Sequence, residues 1–159
     1  MFDYKKYEGL CYDIIGAAME VHRVRKFGLL ESVYNECLHI ELEERGIDNE
    51  PEQELNCYYK SHKLNKKFRM DIVVGDVCVE LKSVKDIIPA HRAQLFNYLR
   101  LTKKPIGLLI NFGNKHLQGE RYAYIEETNE CVLMDKNMNL LFDEPIDCDY
   151  ESSNYLDDK

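Results

Sequence analysis

Apolar residues recur at helical spacing at Tyr7, Leu10, Cys11, Ile14, Ala18 and Val21, which predicts an amphipathic helix from about Tyr4 to Arg25, ended by Phe27-Gly28. A second helical pattern starts near Leu30 and runs through Val33, Tyr34, Cys37, Leu38 and Leu42. Gly46 follows it, where helices often stop in a left-handed turn. From Glu52 the period drops to two, with Leu55, Cys57 and Tyr59 alternating with polar neighbours before a turn-like SHKLN. Two apolar strands follow, FRMDIVV and VCVELKSV, separated by Gly75-Asp76. A third helix is expected over Ala90 to Thr102, and IGLLINF (Ile106 to Phe112) reads as a buried strand. Further on, the pattern gives a weak strand at Tyr122 to Ile125 and a hairpin of CVLMD with NLLF about Lys136 to Met138. The expected class is α/β, in the order ααβββαβ with a C-terminal β-hairpin extension.

Composition narrows this picture without changing it. A chain of 159 residues suits one domain, here residues 1–142, with an acidic tail at 143–159 expected to be frayed or mobile. No apolar run approaches the ~18 residues that cross a bilayer, and no signal-peptide pattern opens the chain, so a cytoplasmic, non-membrane protein is expected. The six cysteines form no CxxC pair and no short Cys/His spacing, which points to neither a zinc site nor a disulfide framework. The net charge of −8 argues against a nucleic-acid partner until it is divided. Seven acids and one lysine put −6 in the tail, leaving −2 for residues 1–142. Within that body, YYKSHKLNKKFR (Tyr58 to Arg69) holds five Lys/Arg and no acid, either a solvated hairpin or a phosphate-facing patch.

The hairpin at Gly75-Asp76 carries the candidate chemistry. A two-residue loop with glycine first sets the register, so that Ile72 faces Val79, Asp71 faces Glu80 and Arg69 faces Lys82. Asp71, Glu80 and Lys82 then share one side of the sheet. Facing carboxylates destabilise a sheet unless positive charge lies between them, and Lys82 supplies only part of it. A hard divalent cation, magnesium or manganese, would supply the rest. An edge hairpin with one wet face is the plainer alternative; the apolar flanks IVV and VCV favour burial.

The spacing of Asp71 and Glu80-Leu81-Lys82 resembles the active-site hairpin of the PD-(D/E)XK nuclease superfamily, with Met70 where a proline often precedes the aspartate. GLLESVY (Gly28 to Tyr34), VELKSV, and QLFNYL followed by GLLINFG are similar to the pattern of that superfamily's GxxExxY family, over about Tyr12 to Gly113. Here RVRKF stands where that family more often has a glycine-rich turn. The resemblance implies a restriction-endonuclease-like core and metal-dependent hydrolysis of phosphodiester bonds, with DNA the expected substrate. It also implies that Asp71, Glu80 and the Leu81 carbonyl hold Mg2+ or Mn2+, that Glu31 completes the metal's surroundings, and that Lys82 orients water. Gln94 and Tyr98, spaced i, i+4 on the third helix, match the Q-xxx-Y pattern of the RecB-like exonuclease branch. Each residue also has a plainer role: Glu31 as a favourable charge in a helix's first turn, Tyr34 as packing, Gln94 and Tyr98 as helix trim, His22 as a capping or surface histidine. A non-catalytic module binding nucleic acid or protein, and a subunit completed by a second copy or a partner, are the competing functions.

Overall fold

The computed structural model describes residues 2–142; the acidic tail lies outside the described residues. A short 3-10 turn at Tyr4–Tyr7 leads into helix α1 (Glu8–Arg25), followed by α2 (Glu31–Glu44). Strands β1 (Glu50–Tyr59), β2 (His62–Val74) and β3 (Val77–Lys82) come next, then α3 (Pro89–Thr102). The chain closes with β4 (Ile106–Asn111), β5 (Gln118–Ile125) and β6 (Glu130–Met134).

The six strands form one sheet in sequence order. All neighbours are antiparallel except β3 and β4, which run parallel because α3 carries the chain back between them. Every residue of β3 and β4 is buried, as expected of strands covered on both faces. Alternation then sorts the side chains. Val77, Val79 and Leu81 join the cluster under α1 and α2, together with Ile14, Ala18, Tyr34 and Leu38. Cys78 and Leu109 face the opposite cluster, built with Leu95, Phe96, Tyr98 and Leu99 of α3. The same alternation puts Glu80 and Lys82 on the α3 side, in a row that cladding would otherwise fill with apolar groups. Each fully buried large apolar side chain stabilises the fold by about 1.5–3 kcal/mol, so the two clusters hold the sheet firmly around that row.

Two glycines matter to this placement. Gly75 takes a φ of +56° in the β2–β3 turn, where a side chain would be strained. Gly107 lets α3 lie close to β4, since a Cβ there would come within 2.9 Å of Leu99 Cδ1.

Two expectations need correction. The reversal between β1 and β2 falls at Lys60-Ser61, and His62 to Asn65 of the turn-like SHKLN lie in β2. The weak strand at Tyr122 to Ile125 is the second half of an eight-residue β5. Of the expected hairpin of CVLMD with NLLF, the structure shows a short contact on the edge of β6 that β5 leaves free: the Met134–Leu140 bridge, with Leu141 N–H donating to the Leu133 carbonyl at 2.8 Å and Asp135 N–H to the Asn139 carbonyl at 3.0 Å.

Candidate active site

The hairpin register holds where the turn controls it: Val74 pairs with Val77, Val73 with Cys78 and Ile72 with Val79. The ladder stops there, and the expected pairs of Asp71 with Glu80 and Arg69 with Lys82 fall beyond it. Asp71 bends out of the ladder and its Oδ2 accepts the backbone N–H of Leu81 at 2.7 Å. On the opposite side, the side-chain amide of Asn35 on α2 donates to the Asp71 carbonyl at 3.3 Å. Asp71 is thereby held from two sides while its carboxylate stays beside Glu80.

Glu80 is only 2 % exposed, and its Oε2 has no hydrogen-bond partner while both carboxyls are ionised. Burial, then the charge of Asp71, then a side-chain hydrogen bond that a proton on Glu80 makes with Asp71, push Glu80 up to about 9. Lys82 opposes this shift and Glu31 adds to it. Asp71 is also raised, first by burial, although the Leu81 N–H and the Glu80 hydrogen bond pull the other way. Two adjacent carboxyls in a dry place thus share a shortage of positive charge.

Lys82 does not remove it. Its Nζ stands 3.8 Å from Glu80 Oε1, a loose contact, and donates instead to Gln94 Oε1 at 2.8 Å. The Gln94 amide donates to the Tyr98 hydroxyl at 3.1 Å, which donates to the Arg69 carbonyl at 2.8 Å. The i, i+4 pair on α3 therefore fixes where the ammonium sits and ties α3 to β2 just before Asp71.

Glu31 is exposed in the first turn of α2, and it reaches the pair through its charge on both carboxyls. Among the described residues, no group of three or more His, Cys, Asp and Glu converges to hold an ion. Tyr34 packs: its ring stacks on Phe112 at 4.5 Å, and its hydroxyl donates to the Lys26 carbonyl at 2.6 Å and accepts from Leu29 N–H at 3.1 Å. It holds the loop that presents Glu31. His22 lies outside the site, its Nε2 2.8 Å from the Asn114 carbonyl.

Sequence reading missed four neighbours. Asn35 was signalled only by being a polar residue on a buried helix face. His91 is held below the usual histidine range by burial and then by Lys82; its Nδ1 accepts Ile88 N–H at 3.0 Å, capping α3. Arg92 and Glu120 form a buried ion pair at 2.9 Å, with the Tyr122 hydroxyl 2.6 Å from Glu120 Oε2. Glu120 lies in the same cross-sheet row as Glu80, with Leu109 between them, and its charge is consumed by Arg92. Nothing in the sequence pairs two residues 28 positions apart.

The donor set fits a divalent cation held by few protein ligands. A cation satisfies the stranded Glu80 Oε2 and the like-charged pair at once, and two carboxylates with waters is a usual magnesium environment.

A sequence profile described as the PD-(D/E)XK nuclease superfamily matches residues 8–122. The chain belongs to that superfamily, whose nucleases generally use divalent metals. No curated protein matches it significantly. The crystal structure of SSO0001 is similar at 19% sequence identity and a TM-score of 0.44, covering 78% of this chain. The match spans 64% of that chain, less than two thirds of its length.

Proposed function

We propose that this chain is a divalent-metal-dependent nuclease that hydrolyses phosphodiester bonds of DNA, of the GxxExxY kind within the RecB-like branch. The observation that carries the reading is the pairing of Asp71 with the buried Glu80, which needs a proton or a cation to be stable. Asp71, Glu80 and the Leu81 carbonyl would hold Mg2+ or Mn2+, with Glu31 contributing through its charge or an intervening water. When bound, the metal polarises the phosphate and lowers the pKa of the attacking water.

The chain's own residues do the rest. Lys82, anchored by one donor to Gln94, keeps its other donors for the water and for charge developing on the phosphate oxygens. Gln94 and Tyr98 hold the ammonium in place. Asn35 and the Leu81 N–H fix Asp71, so little reorganisation is left for the moment of reaction. Water oxygen bonds to phosphorus, the ester P–O bond breaks, and the leaving oxygen takes up a proton.

One observation favours a second reading, a non-catalytic binding module. Glu80 raised to about 9 is protonated at neutral pH in the absence of metal. A cytoplasmic location, and a second copy or partner extending the substrate surface, belong to the first reading as proposals.

The test is incubation of labelled linear and circular DNA with magnesium, manganese or chelator, with Lys82→Ala run alongside. Metal-dependent cleavage lost in the variant is the expected result. Cleavage equal in Lys82→Ala, or none with either metal, overturns the proposal.

A further inference from the structure

β2 is thirteen residues long, yet only its last three pair with β3. The remainder pairs with β1 alone, so β1 and β2 extend as a two-stranded ribbon beyond the sheet. From Tyr58 to Lys67 every residue is exposed, six in succession on β2, which means that neither face of the ribbon packs on anything. An isolated ribbon gains little stability for itself.

Its composition is one-sided. Those ten residues carry Lys60, Lys63, Lys66 and Lys67, with His62 and no acid, in a chain of 29 Asp and Glu. None of the four lysines makes an ion pair among the described residues. Tyr58 is 61% and Tyr59 63% exposed. Lysines on unpaired edges also discourage strand-to-strand aggregation, but charge of either sign serves that purpose and exposed tyrosines work against it.

The root of the ribbon is built into the site. The Arg69 carbonyl accepts the Tyr98 hydroxyl, and Phe68 meets the Tyr98 ring edge-on at 6.0 Å. Asp71 follows two residues later. At about 3.3 Å per residue, Lys67 lies roughly 13 Å and the Lys60-Ser61 turn roughly 35 Å along the strand from Asp71.

We propose that the ribbon Tyr58–Lys67 is the surface along which a nucleic-acid strand is led to the Asp71–Glu80 pair, the lysines meeting phosphates and the two tyrosines stacking on bases. The proposal rests on the hydrolytic reading for its direction, toward the carboxylates, and on the ribbon's own charge and exposure for its partner. Unpaired bases suit the tyrosines, and phosphates of either duplex or single strands suit the lysines.

The test is fluorescence anisotropy of labelled single-stranded and duplex oligonucleotides against the full chain in chelator, over a salt series. With all four lysines changed to alanine, the slope of log affinity against log salt should fall by about 3, at ~0.7–0.9 per phosphate contact. Affinity should drop by tens-fold at low salt, with the thermal melt unchanged because the side chains are exposed. Tyr58→Ala with Tyr59→Ala should weaken single strands more than duplex. Unchanged affinity and slope in the quadruple variant, or no binding by the wild type, overturns the proposal. A cleavage assay with metal separates the two readings: ribbon-dependent binding without any cleavage by wild type leaves the ribbon standing and sinks hydrolysis, whereas cleavage with the same KM in the quadruple variant does the reverse.

Discussion

The Asp71 carboxylate accepts the Leu81 backbone N–H at 2.7 Å at the point where the β2–β3 ladder has just ended. One side chain therefore completes the sheet and faces Glu80 at the same time. Asparagine can still accept that N–H but brings no charge, so Asp71→Asn should fold normally and lose metal binding and cleavage. Asp71→Ala strands the donor as well and should cost a further ~1–3 kcal/mol in denaturant unfolding.

Glu80 gives a pH signature. Its folded pKa, about 9, lies above the ordinary 4.5, so the folded chain holds a proton across that window that the unfolded chain has released. Stability from the protonated carboxyl is fully present below about 4.5 and is lost as pH rises toward about 9. Glu80→Gln is neutral throughout. Melting curves in chelator should show the variant gaining on wild type as pH climbs from 5 to 9, and a constant difference would refute the burial argument.

Lys82 is positioned by Gln94, which in turn is held by Tyr98. Gln94→Ala frees the ammonium without removing it. The expected result is a kcat reduced by about ten- to a hundred-fold with KM little changed, while Lys82→Ala abolishes turnover. Steady-state cleavage assays normalised to the folded fraction measured by circular dichroism distinguish this from general destabilisation, which would lower the active fraction and leave the kcat of folded enzyme intact.

Tyr34 makes a different kind of contribution. Tyr34→Phe keeps the stack on Phe112 but leaves the Lys26 carbonyl and the Leu29 N–H without their partner. A loss of about 1–3 kcal/mol in unfolding free energy is expected. Metal affinity of the folded variant should stay within about two-fold of wild type, because Tyr34 touches neither carboxylate.

The sequence disclosed what local rules govern. Gly75-Asp76 set the strand register as far as Ile72 and Val79, and period alone separated the three helices from the buried runs IVV, VCV and IGLLI. The bend at Asp71 was illegible, since it arises when a side chain outcompetes the backbone for the Leu81 N–H. The same holds for the Arg92–Glu120 pair, where partners are selected by tertiary packing. Basic residues at 58–69 were visible, but their freedom from any packing face was a property of where β3 ends.

The central claim is that Asp71 and Glu80 hold a divalent cation. Calorimetric titration with manganese at pH 7.5, repeated in two buffers of different ionisation enthalpy, tests it most directly. Binding at one site per chain with release of about one proton, lost in Asp71→Asn and without proton release in Glu80→Gln, is the expected result. Equal affinity in Asp71→Asn, or binding by wild type without a proton, would contradict it.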